Sequence, residues 1–115
     1  LLQHARAFVF AAEEDFGILP LEAQACGTPV IALRRGGAVE TVRGVNEGPG
    51  ATGLFFDEQT EGAIAAAVGE FEAHPDAIAV RDSRTQALRF SSHDFRARYA
   101  AFVNATWDAF VAGRR

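Results

Sequence analysis

The chain contains no lysine and no methionine, and only one cysteine, one tryptophan and one tyrosine. A lone Cys26 rules out an internal disulfide and a cysteine-based metal cage. His4, His74 and His93 are far apart and show no ligand spacing, so neither a structural nor a catalytic metal is expected. All basic charge comes from arginine, and the net charge is −4. That balance lacks the clustered positive charge on which non-specific nucleic-acid binding depends. No apolar run approaches the roughly 20 residues that span a bilayer. The opening LLQHARAFVF has neither the basic start nor the cleavable end of a signal peptide. LLQHAR reads instead as the end of a helix, so the chain opens in mid-helix. Together with the missing methionine, this makes a piece of a longer polypeptide the expectation.

What is present is globular in character. Hydrophobic residues make up 49% of the chain and charged residues 23%, and 115 residues form one domain at most. AFVFAA (7–12) is a short continuous apolar run bounded by charge, the pattern of a strand buried on both faces. ILPLEAQAC (18–26) reads as a helix, with Pro20 in the first turn, where its missing N–H loses nothing. Gly27 stops that helix and Pro29 follows. TPVIAL (28–33) is a second buried strand, RRGG a loop, and AVETV (38–42) a short helix. VNEGPGATG is a flexible connection leading to a third strand, TGLFF (52–56). From Thr60 to Ala73 the residues Ile64, Ala67, Val68 and Phe71 form one stripe at helical spacing. A further helix is expected over 76–90. Ser91 with Asp94 forms a capping-box start for the last helix, whose continuous face carries Phe95, Tyr99, Phe102, Val103, Thr106, Phe110 and Val111. Strands alternating with helices make the fold α/β with a parallel sheet.

The segment EEDFG between the first strand and its helix poses the functional question. In an open parallel sheet, ligands bind beyond the carboxyl ends of the strands. The amides of Gly17, Ile18 and Leu19 open a helix there, which suits a phosphate or a sugar oxygen. Gly17 would let a ligand approach the backbone closely. Carboxylates at Glu13, Glu14 and Asp15 would repel a diphosphate but accept hydrogen bonds from sugar hydroxyls. Amide donors beside carboxylate acceptors therefore suit a nucleotide-sugar. The same acids would also serve as helix caps and nothing more, and the residues by themselves leave both readings open.

Four blocks in register resolve this. Glu14-Asp-Phe-Gly-Ile-Leu-Pro-Leu-Glu22 has the E-x₇-E spacing of retaining glycosyltransferases of the GT-B fold, family 4. LEAQACGTPVIA resembles that family's LEAMAxGxPVIA, RGGAVETV its GGxxE block, and ATGLFF its TGxLF strand. The resemblance runs from about Ala7 to Phe56 and continues into the helix after Thr60. It implies that residues 1–90 are the second half of a Rossmann-like nucleotide-sugar-binding domain. Residues 91–115 would form a C-terminal helical segment that packs back on the domain or toward an N-terminal lobe absent here.

The resemblance also assigns roles. Glu14 would contact the transferred sugar near the reacting anomeric centre. Phe16, Gly17 and Ile18 would hold the sugar and diphosphate through backbone amides, with Leu19 beside them, and Glu22 would bond the ribose hydroxyls. Gly36, Gly37 and Glu40 belong to the GGxxE block, where Glu40 is either a helix cap or a donor contact. The family's own phosphate-binding arginine and lysine would lie upstream; from its position at the end of the second strand, Arg35 is expected to assist at the phosphates. Both Arg34 and Arg35 would otherwise be solvated loop residues. Asp15 departs from the family's usual glycine. The EEDFG form resembles a subset associated with mannosyl transfer in bacterial polysaccharide synthesis, implying GDP-mannose as donor.

The implied reaction is transfer of a hexose, with retention and without a metal or cofactor, to a glycan or lipid-linked acceptor. The protein would be cytoplasmic, peripheral to the inner membrane face through the absent part. This piece would be inactive alone, and its aromatic helix face would allow it to dimerise. A non-catalytic sugar-nucleotide-binding or scaffold domain of the same fold is the alternative, against which the intact Glu14 and Glu22 speak.

Overall fold

Strands β1 (Phe8–Phe10), β2 (Val30–Leu33) and β3 (Gly53–Phe56) lie parallel in the order β1-β2-β3. The computed structural model describes residues 2–13 and 18–113, with backbone alone for residues 3 and 92–95. Strand β2 is buried at all of its positions, as its unbroken apolar run requires. Its side chains alternate between two cores. Ile31 and Leu33 join Leu54 and Phe56 of β3 beneath Ala67 and Phe71 of helix α3 (Glu61–Ala73). Val30 and Ala32 join Phe10, Ala23 of helix α1 (Ile18–Ala25), and Ala38 and Val42 at the ends of helix α2 (Ala38–Thr41). Each fully buried large aliphatic is worth about 1.5–3 kcal/mol. The sheet therefore has helices on both faces. This is the α/β architecture expected from the sequence.

Strand β1 departs from expectation. Val9 is 42% exposed, although the run Ala7–Ala12 reads as buried on both faces. Val9 is in register with Ile31 and faces the α3 side, but α3 lies against β3. Among the described strands β1 is an edge, and on that face Ala7 and Ala11 pack against the α3-side core while Val9 between them stays exposed.

Helix boundaries follow local chemistry. Helix α1 ends in a Schellman motif. Gly27 has φ +79°, its N–H donates to Gln24 O at 2.9 Å, and Thr28 N–H reaches Ala23 O at 2.8 Å. Thr60 caps α3, its hydroxyl accepting from Ala63 N–H at 3.1 Å. The stripe Ile64, Ala67, Val68 and Phe71 packs into the core.

The helix expected over 76–90 is broken. A 3₁₀ turn covers Pro75–Ala77, Ile78 is extended (φ −122°, ψ 115°), and helix α4 runs Val80–Leu88. The extended residue drops the Ile78 side chain into the α3-side core, where it is buried. Burial of that side chain outweighs the helical bonds that a continuous helix would have kept. Helix α4 packs on α1. Its buried Gln86 donates to Thr41 O at 3.1 Å, which ties α4 to α2.

Helix α5 (Ser92–Gly113) extends the molecule to 60 Å along its longest axis. Tyr99, Phe102, Val103, Trp107 and Phe110 on it are exposed in this chain. The capping box of Ser91 with Asp94 and the side chain of Phe95 fall outside the described residues. Cys26 is half-buried rather than enclosed. Among the described residues no helix is long and apolar enough to cross a membrane.

Gly53 is a packing glycine. A Cβ there would run into the carbonyl oxygen of Val30 and come within 2.8 Å of Val42 Cγ1. Gly69, in the middle of α3, has open space around it. Chemical denaturation of the full-length protein should therefore show Gly53→Ala to be destabilising by about 1–3 kcal/mol. Gly69→Ala should stabilise by about 0.5–1 kcal/mol. Equal behaviour of the two variants would contradict this packing.

Candidate functional site

Because the strands are parallel and in register, the segments that follow them leave from one edge of the sheet. These are Ala11–Glu13 after β1, Arg34–Gly37 after β2 and Asp57–Thr60 after β3. Glu14, Phe16 and Gly17, together with Asp15, lie outside the described residues. Helix α1 is described from Ile18 onward, with Pro20, which has no N–H to satisfy, within its first described turn.

Ile18 and Leu19 are 65% and 50% exposed, while Pro20, Ala23 and Gln24 turn inward and are buried. Glu22 lies one turn beyond Ile18 and is exposed. The described start of α1 thus presents two apolar side chains and a carboxylate to solvent. Unpaired apolar surface next to hydrogen-bonding groups is what a sugar nucleotide, with its stacked base and ring faces, can cover.

The RRGG loop follows β2. Gly36 has φ +66°, a left-handed backbone that turns the chain into α2. Gly37 is buried, and its carbonyl accepts from Glu40 N–H at 3.0 Å and Thr41 N–H at 3.2 Å. Glu40 lies in the first turn of α2 and is exposed, where its charge favours the helix dipole. Arg35 is exposed, and its backbone N–H donates to Leu33 O at 2.8 Å. Helices α1 and α2 touch. Of the sequence-expected residues that are described, Ile18, Leu19, Glu22, Arg35, Gly36 and Glu40 are all solvent-accessible.

The two arginines differ. Arg34 Nε donates to Asp57 Oδ1 at 3.1 Å, and its Nη1 is 3.7 Å from Glu47 Oε1. The guanidinium lies over the Phe55 ring, 4.9 Å from the centroid. This network corrects the reading of Arg34 as a merely solvated loop residue. Glu47 Oε2 also accepts from Gly44 N–H at 3.2 Å. The glycine-rich connection, expected to be flexible, is closed at its base. Thr52 N–H donates to Arg43 O at 2.8 Å, and Arg43 N–H donates to Thr52 Oγ1 at 2.9 Å. A signal for the Arg34–Asp57 pair existed in the strand register. Leu33 and Phe56 are partners, so the residues after them emerge together.

The fold and these loops can now be set beside known proteins. The family described as Glycosyl transferases group 1 matches residues 1–87. The chain belongs to that family. A GDP-mannose-dependent alpha-(1-6)-phosphatidylinositol monomannoside mannosyltransferase from Mycolicibacterium smegmatis is 35% identical over 97% of this chain. A D-inositol 3-phosphate glycosyltransferase from Acidothermus cellulolyticus is 40% identical over 67% of it. Among solved structures, sucrose-phosphate synthase from Thermosynechococcus elongatus superposes with a TM-score of 0.66 at 29% identity, covering 88% of this chain and 26% of its own. The group 1 domain therefore has a GT-B type α/β fold. It spans 29% of the length of the mannosyltransferase and 16% of the inositol-phosphate enzyme.

Within this group 1 domain the left-handed Gly36 is a local requirement of the RRGG turn. Gly36→Ala should lower stability by about 1–2 kcal/mol through the strained φ. Gly36→Asn should cost less, because asparagine tolerates that region better. Denaturation midpoints of the two variants in the full-length protein test this, and an alanine no worse than asparagine would contradict it.

Proposed function

We propose that this group 1 domain is the donor-binding part of an enzyme that transfers mannose from GDP-mannose to a glycan or lipid-linked acceptor with retention. The observation that carries the reading is the single carboxyl edge. It gathers the exposed start of α1, Glu22 and the Arg35–Gly36 turn in a chain of this family. The GDP-mannose dependence of the Mycolicibacterium relative supports GDP-mannose as donor. The acceptor would be read by the N-terminal lobe of the same polypeptide.

In this reading each group has one task. The free amides that open α1 and the guanidinium of Arg35 stabilise the negative charge that grows on the diphosphate as its bond to the sugar breaks. Electrostatic stabilisation of that kind is the main catalytic contribution. Ile18 and Leu19 shield the site from water, which strengthens those interactions. Glu22 accepts hydrogen bonds from the ribose hydroxyls. Glu14 lies against the transferred sugar near the anomeric carbon and favours the reactive orientation. The reaction needs no resident metal or cofactor, and the nucleotide-sugar is a substrate.

Nucleotide release by the full-length enzyme, with GDP-mannose set against UDP- and ADP-sugars, is the direct test. GDP-mannose should be the preferred donor. Glu14→Ala should lower kcat by about 100-fold or more. Glu22→Ala should raise the donor KM by about tenfold with a smaller effect on kcat. Arg35→Ala should weaken donor binding. If Glu14→Ala and Glu22→Ala both retain wild-type rates, the assignment is wrong. If a UDP- or ADP-sugar is preferred, the donor is wrong while the site stands.

A further inference from the structure

The carboxyl edge holds one more element, the loop from Asp57 to Thr60 between β3 and α3. It is fastened at three points. Asp57 accepts from Arg34 Nε at 3.1 Å, at the end of β2. Thr60 caps α3 by accepting from Ala63 N–H at 3.1 Å. Between them, Gln59 Nε2 donates to the carbonyl oxygen of Ala11 at 2.6 Å. Ala11 follows β1, and β1 is not the neighbour of β3, since β2 stands between them. The Gln59 side chain therefore reaches across the end of the central strand from one flank of the sheet to the other.

Ala11 lies just beyond the last register pair of β1, Phe10 with Ala32. From there the chain runs through Ala12 and Glu13 toward Glu14. The orientation of the Ala11 peptide sets the direction in which that segment leaves the sheet. A peptide beyond the ladder is free to rotate unless its carbonyl finds another donor.

We propose that Gln59 is a positioning residue for the acidic turn. By holding the Ala11 carbonyl it fixes the departure of residues 11–13 from the carboxyl edge of the sheet, where the donor site is proposed. The Arg34–Asp57 pair, with Arg34 stacked on Phe55, keeps the loop at the height from which Gln59 can reach. This inference rests on the donor-site reading above. Its chemistry calls for a long side chain with an N–H donor at the tip. Glutamate has nearly the same shape but only accepts, so it would repel the carbonyl. Lysine is long enough and donates.

The test uses the full-length enzyme with GDP-mannose, measuring kcat and donor KM by nucleotide release and the thermal midpoint of each variant. Gln59→Glu should lower kcat about five- to tenfold, with a smaller change in KM. Its thermal midpoint should stay within about 2 °C of wild type, as expected where one exposed bond is lost. Gln59→Lys should keep kcat within about twofold of wild type. Glu58→Ala, the exposed neighbour, should change neither constant.

A wild-type kcat in Gln59→Glu would overturn the inference, as would a lysine variant as poor as the glutamate one. So would an activity loss matched by a large fall in thermal midpoint, since the role would then be structural. If those results came while Glu14→Ala abolished turnover, this inference would fail and the donor-site reading would stand. If the wild-type enzyme released nucleotide from no nucleotide-sugar, both would fall.

Discussion

Everything in this domain depends on the complete enclosure of β2. Its four residues divide evenly between two cores, Ile31 and Leu33 toward α3, Val30 and Ala32 toward α1 and α2. Gly27 and Thr28, which lead into β2, are buried as well. Its carboxyl end is where the chain returns to water. The segments Ala11–Glu13, Arg34–Gly37 and Asp57–Thr60 leave the sheet at that edge, where open parallel sheets bind their ligands.

The carboxyl edge is built from two kinds of segment. The described start of α1 and the RRGG loop expose Ile18, Leu19, Glu22 and Arg35. The loops after α2 and β3 are restrained by Arg34, Glu47, Asp57 and Gln59. The ion pairs of Arg34 are half-exposed, and such pairs contribute little to stability. Their value lies in geometry, because a guanidinium held over an aromatic ring and between two carboxylates has few orientations left. A site that binds a flexible, highly charged ligand benefits from such supports, since ordering the loops in advance reduces the entropy lost on binding.

Buried polar groups mark where the helical layer is specified rather than merely filled. Gln86 joins α4 to the Thr41 carbonyl and also accepts from Arg89, so α4 has a defined register against α2. Gln24 Nε2 is satisfied by Pro20 O within α1, whereas Gln24 Oε1 and Ser83 Oγ are buried without a partner among the described residues. Such groups carry a desolvation cost.

The sequence by itself determined the element order, the two-faced burial of β2, the Gly27 stop, the stripe of α3 and the family. Each follows from local periodicity, backbone preference or motif spacing, which neighbours in sequence express directly. The exposure of Val9, the break at Ile78, the closed base of the glycine-rich connection and the reach of Gln59 to Ala11 were decided only by tertiary structure. They depend on where α3 settles on the sheet and on contacts between residues as distant as 48 positions. Burial and hydrogen bonding across such separations leave no periodic trace in a single chain. Arg34 stands between the two cases. Its partner Asp57 could be read from strand register once the sheet order was known, and that order is itself a product of packing.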